Sequence, residues 1–142
     1  MDRIVVKLNL ETRAANIIHS YEAGLIKIRQ ISPSSEENPN GVQHQLLSLT
    51  NSVIITPDYL IQDWLPDPQN LSKEDMNRII ETKPEVILLG TGSSLTFPES
   101  AILQQCYQRK IGIEVMNTAA ACRTYNVLAS EYRKVTAALM VI

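Results

Sequence analysis

Two short segments, GTGSSLTFP from Gly90 and MNTAAACRTYN from Met116, gather the side chains of this sequence that could do chemistry. Gly90, Thr91, Gly92 and Ser93 follow the apolar run Val86 to Leu89. Glycines placed there let an anion approach backbone amides, and the hydroxyls add donors. In the second segment Thr118, Arg123, Thr124, Tyr125 and Asn126 sit on a helix whose start offers unpaired N–H groups. A guanidinium beside such a start suits a carboxylate or a phosphate. If the strands before the two segments are parallel, both segments emerge at one sheet edge, the edge where open α/β sheets bind ligands.

A structural alternative stands beside each feature. Leu95 occupies the third glycine position of G-x-G-x-x-G, which favours a structural turn over a dinucleotide site at the Gly90 loop and leaves a small anion open. Arg123 can pair with Glu114 or Glu131 and order the surface, and Tyr125 can pack with a satisfied hydroxyl. Nucleophilic catalysis requires a base beside the nucleophile, and the histidines, His19 and His44, lie far from Cys122 in sequence. Cys122 in a first helical turn keeps a thiolate role open if exposed, while its small neighbours favour a buried packing role. GTGSS is not the G-x-S-x-G elbow of a hydrolase, and two histidines make no metal site. No cofactor or metal is implied. An enzyme using Cys122 or Tyr125 with Arg123 is the least favoured reading.

Composition narrows the classes further. The chain has 142 residues, 13 basic and 15 acidic, for a net charge of −2. With 44% hydrophobic residues it can build one core without disulfide or metal staples. A single domain over 1–142 is expected, β-rich over about 1–60 and α/β over about 71–142. Neither a basic excess nor an aromatic platform points to nucleic acid. Two unpaired-looking cysteines, no signal-peptide pattern and no long apolar run predict a cytoplasmic protein without a membrane span.

The positioning elements are readable from periodicity. Strands are predicted over Ile4 to Leu8, Ile17 to Tyr21, Leu25 to Ile28, Gln45 to Leu49 and Val53 to Thr56, with Gly24 turning a hairpin. An exposed loop is expected between Ile31 and Gly41, and a proline-bounded connector from Trp64 to Pro68. Trp64 reads either as a core residue or as an anchor for a protein contact. Ser72 and Asp75 start a helix that runs to about Thr82. Strands and helices then alternate: Val86 to Leu89, Pro98 to Lys110, Ile113 to Met116, Thr118 to Ala129 and Lys134 to Val141. Pro98 suits a first helical turn and Gly112 a helix break. Ile102, Leu103, Cys106 and Tyr107 form a core face. Asn117 or Thr118 caps the following helix. There, Ala119, Arg123, Asn126 and Ser130 form a polar stripe, and Ala120, Ala121, Thr124, Val127 and Leu128 an apolar face.

HSYEAGLIKI, the strand before TPDYLIQDW, PEVILLGTG with FP following, and GIEVMNTAAACRTYNVLASEYRKVTAALM together resemble the family called domain of unknown function 498. Its eukaryotic member is a mitochondrial assembly factor of NADH:ubiquinone oxidoreductase. The resemblance covers His19 to Met140, and MNTAAACRTYN is its most specific part. It implies a three-layer α/β fold with a central mixed sheet, flanking helices and an additional β layer from the N-terminal strands. It also implies a protein that acts with other proteins, and it brings no catalytic residues. The positions it carries over are Gly90, Gly92, Thr118, Cys122, Arg123, Thr124, Tyr125, Asn126 and Arg133. Asn117 stands where the family tends to have Asp, and Tyr132 where a smaller residue is common. The lack of a mitochondrial presequence fits a prokaryotic member. The expectation is a non-catalytic interaction or assembly protein. The alternative is a module binding a small anionic molecule at the Gly90 loop and Thr118 helix start.

Overall fold

The computed structural model describes residues 15–33 and 41–142. The strand expected over Ile4 to Leu8 and most of the loop after Ile31 lie outside the described residues. Eight strands and three helices follow in the described chain. Strands β1 (Ala15–Glu22), β2 (Leu25–Pro33) and β3 (Val42–Leu49) form an antiparallel sheet in that order. Gly24, at φ 80°, turns the first hairpin in the left-handed region that a tight turn requires. Both β2 and β3 run further toward the 34–40 segment than the apolar pattern alone predicts, because antiparallel pairing carries the ladder as far as Pro33 opposite Val42.

The central sheet holds β4 (Val53–Ile55), β5 (Leu60–Ile61), β6 (Val86–Gly90), β7 (Gly112–Met116) and β8 (Val135–Leu139), in the order β5-β4-β8-β6-β7. β6 runs parallel to both β7 and β8, whereas β4 is antiparallel to β8 and to β5. It is therefore a mixed sheet. β5 had no signature in the sequence and lies just before the connector expected from Trp64 to Pro68.

Period-two alternation sorts the central strands between two cores. Val53, Ile55, Leu88, Val135, Ala137 and Leu139 face a core shared with Ile18, Ile26 and Ile28 of the outer sheet and with α3 (Thr118–Ser130). Ile54, Ile87, Leu89, Ala138 and Met140 face the opposite core, built with α1 (Lys73–Ile80) and α2 (Ser100–Gln108). Two helices, the central sheet, and a layer of α3 with the outer sheet make three layers. Trp64 belongs to the core, 1% exposed, with its indole N–H donating to the Asp75 carbonyl at 3.3 Å.

Ser72 and Asp75 form the reciprocal capping box that starts α1. Three local expectations are corrected. α2 begins at Ser100 with Glu99 as its N-cap, so Pro98 lies just outside. The chain leaves α2 through Lys110 in the left-handed region at φ 59°, and Gly112 instead opens β7. Tyr107 is 52% exposed, because only Ile102 and Cys106 point straight at the sheet.

Candidate functional site

β6 and β7 end side by side, which brings the Gly90 loop and the start of α3 to one edge of the sheet. Contact there is tight: a Cβ built on Gly90 would lie 3.0 Å from the Thr118 Cα and 3.1 Å from the Thr118 Oγ1. The Gly92 amide donates to Thr118 Oγ1 at 2.7 Å, and that hydroxyl donates to the Met140 carbonyl at 2.8 Å. Thr118 N–H returns to the Gly92 carbonyl at 2.9 Å, and Thr91 N–H goes to the Met116 carbonyl at 3.0 Å. One buried hydroxyl thus locks loop, helix start and C-terminal segment together. Gly92 takes φ 89° with Ile142 pressed against its α-carbon. Thr91 folds its own loop, donating to the Ser94 carbonyl at 2.6 Å and accepting from Thr96 N–H. Ser93 is exposed.

Asn117 is the cap of α3, accepting from Ala120 N–H at 2.8 Å. The buried stripe that follows is Thr118, Ala121, Cys122 and Tyr125. This corrects the expected apolar face, from which Val127 is turned out, 55% exposed. The cause is the outer sheet, which covers a neighbouring stripe of the helix. Tyr125, fully buried, donates its hydroxyl to the Asn16 carbonyl at 2.8 Å. Asn126 accepts from Ile18 N–H at 2.9 Å and donates to the Ile18 carbonyl at 2.7 Å. Asn16 N–H reaches the Pro57 carbonyl. The backbone groups of Asn16 and Ile18 that face away from β2 are therefore all satisfied, which closes this edge of the outer sheet.

The five α3 residues singled out in the sequence therefore do not converge. Thr118 meets Gly90 and Gly92; Tyr125 and Asn126 face β1; Thr124 bonds back to the Ala120 carbonyl at 2.9 Å. Arg123 is exposed, and it pairs with neither Glu114 nor Glu131. Burial pushes the Cys122 thiol up to about 12, against a smaller opposing pull from Arg123. Desolvation likewise drives the Tyr125 hydroxyl far above its ordinary value, with the Asp58 charge adding to the rise. Neither group is a ready nucleophile or proton carrier. Cys106 is buried against the Met76 sulfur.

Open space lies elsewhere. A hollow of about 60 Å³ sits under Phe97 on the α2 side of the Gly90 loop, room for little more than water. A cleft of about 390 Å³ opens at the opposite end of the central sheet, where α1 passes into β6 and α3 into β8. Tyr59, Lys83, Tyr132 and Lys134 line it, beside the Thr82 and Thr136 hydroxyls, which are 2.7 Å apart. Arg133 is held there by Glu85 at 2.9 Å, and that pairing holds the Glu85 carboxyl below its ordinary value. Sequence reasoning missed this cleft because it is assembled from three separate turns. The adjacent cations after each helix, Lys83 and Arg133-Lys134, were its one visible signal.

Comparison with known proteins agrees with this architecture. A Xanthomonas campestris protein solved by NMR superposes with a TM-score of 0.69 at 36% identity, over 89% of this chain and 84% of that one. The "13 kDa major membrane protein" of Francisella tularensis is 36% identical over 53% of this chain and 61% of its own length. The zebrafish (Danio rerio) NADH dehydrogenase (ubiquinone) 1 alpha subcomplex assembly factor 3 is 26% identical over 92% of this chain and 67% of its own length. The chain thus spans about two thirds or less of these two relatives. No helix among the described residues is long and apolar enough to cross a membrane. The family described as a protein of unknown function (DUF498/DUF598) matches residues 18–140. The chain belongs to this DUF498/DUF598 family and is related, at low identity, to the assembly factors of NADH dehydrogenase.

Proposed function

We propose that this protein is a non-catalytic interaction or assembly protein that works by binding other proteins. One observation carries the reading: apart from exposed Arg123, the polar side chains of the MNTAAACRTYN segment are spent inside the fold. Thr118, Tyr125 and Asn126 each bond to backbone of another element, and Cys122 is buried. A nucleophile with an adjacent base, which turnover by acyl or thiol chemistry needs, is missing from that segment. What the molecule turns outward includes Leu95 and Phe97 on the Gly90 loop and Val127 and Tyr132 at the end of α3. Large exposed apolar side chains of this kind suit protein contact. The zebrafish relative's name as an assembly factor points the same way.

The competing reading, a small anion held between the Gly90 loop and Thr118, starts with fewer donors, since Thr91, Gly92 and Thr118 amides are already bonded. Native mass spectrometry of the protein isolated gently from its own cells separates the two. A stoichiometric protein partner is expected. Recovery of the chain alone, or with an anionic adduct lost in Arg123→Ala, would overturn the assembly reading. Fractionation of the same cells checks the cytoplasmic location that belongs to this proposal, since one relative bears a membrane protein's name.

A further inference from the structure

Four strands stand at the edges of the two sheets, and the fold treats them differently. β1 is closed by Asn126, Tyr125 and the Pro57 carbonyl. β5 is two residues long, and five-residue β7 carries exposed Glu114, a charge of the kind that deters pairing. β3, the outer edge of the three-stranded sheet, has no such protection. Its eight residues, Val42–Leu49, include no charge and no proline, and none from Gln43 to Leu49 is buried. Half of its backbone N–H and C=O groups point away from β2, and among the described residues no other element hydrogen-bonds to them. A row of unpaired backbone groups of this length is a template for another strand.

The composition of β3 suits its own copy as the occupant. Two identical strands related by a two-fold axis pair antiparallel, and a residue on the axis meets itself. A charged strand repels its copy in some registers; β3 repels it in none. Leu46 marks the register, since it is 50% exposed, lies midway along the strand and shares a face with His44 and Ser48. With Leu46 on the axis the two leucines cover one another. His44 then lies opposite Ser48 of the second copy, where imidazole and hydroxyl can hydrogen-bond, and Gln45 lies opposite Leu47. Arg29, opposite Leu46 on β2, is the cation nearest the axis. The two copies of Arg29 are three strand spacings apart, about 14 Å, beyond the Debye length of about 8 Å. Pairing from Gln43 to Leu49 yields roughly six to eight hydrogen bonds between the chains.

We infer that β3 is a self-association edge: two copies of this chain join β3 to β3, antiparallel about Leu46, into one six-stranded outer sheet. This goes beyond the assembly reading and is independent of it, because the purified full chain alone tests it. The contact is small among specific interfaces, so a dimer forming between about 10 μM and 1 mM is expected. Sedimentation equilibrium across that range measures it. Leu46→Glu should weaken association by about tenfold or more, since two carboxylates meet on the axis. It should melt no lower than the parent, because the new carboxylate faces Arg29 of its own chain. Leu46→Cys should join two copies through a disulfide under mild oxidation, Cys106 and Cys122 being buried. Ser48→Cys, displaced from its own copy by four residues or about 13 Å, should not, because bridged α-carbons lie within about 7 Å. A chain that stays monomeric throughout the range, its edge left to another protein's strand or to another part of this chain, would overturn the inference. So would a dimer unaffected by Leu46→Glu, or cross-linking of Ser48→Cys as fast as that of Leu46→Cys.

Discussion

The carboxamide of Asn126 holds both backbone polar groups of Ile18, accepting its N–H at 2.9 Å and donating to its carbonyl at 2.7 Å. An amide side chain here does what a neighbouring strand would do. The register of β1 against β2 shifts between Ile18 and Ser20, so the edge is held just before it becomes irregular. With Tyr125 on Asn16, this turns α3 into a cover for an otherwise open sheet edge. The most specific segment of the family resemblance is thus, in this chain, a set of joints between elements.

Thr118→Val should test the joint at the other end of α3. It leaves the Gly92 amide and the Met140 carbonyl without their buried partner. A loss of about 2–3 kcal/mol is expected by urea unfolding, since each abandoned buried group costs about 1–3 kcal/mol. Thr118→Ser, which keeps the hydroxyl, should recover most of it.

The two loop glycines should fail for different reasons. Gly90→Ala places a Cβ 3.0 Å from the Thr118 α-carbon, which cannot move without shifting α3. A cost of about 1–3 kcal/mol follows, as for other overpacked positions. Gly92→Ala meets the flexible Ile142 side chain at 2.6 Å and also a φ of 89°. Adding Ile142→Ala should relieve the contact but not the backbone strain, so thermal melting of the double variant should recover only part of the loss.

Alkaline pH should weaken the fold through Cys122. An unfolded thiol releases its proton near the ordinary value of 9.0, whereas buried Cys122 keeps it up to about 12. Between those values the native state binds the extra proton, so this contribution is complete below pH 9 and is lost as pH rises. The slope is at most about 1.4 kcal/mol per pH unit for one proton. Urea unfolding across that range should show the decline, and Cys122→Ala should flatten it. Buried Tyr125 works in the same direction. At neutral pH iodoacetamide should modify Cys122 only as fast as the protein unfolds.

Much of the scaffold was legible in local pattern. The alternation of apolar residues in Val135 to Val141, the Gly24 hairpin and the Ser72–Asp75 capping box each express a rule acting over a few residues. β5 was not legible, because Leu60 and Ile61 make a strand only by pairing with Ile54 and Ile55. Nor was the role of Asn126, whose partner lies 108 residues away. A polar stripe on a helix looks the same whether it meets solvent, a ligand or the edge of a strand. Lys83, Lys110 and Tyr132 took left-handed conformations that glycine usually fills and that no local pattern signalled, although the helix ends beside them were read to within two residues.

The account stands most directly on Asn126→Ala, followed by amide hydrogen exchange at Ile18 and by urea unfolding. If Asn126 is a joint, Ile18 exchange should accelerate strongly and stability should fall by about 2 kcal/mol, the worth of two hydrogen bonds and the groups they leave exposed to desolvation. Parental exchange and stability, accompanied by loss of a bound partner or ligand, would contradict it and return Asn126 to the role of a recognition residue.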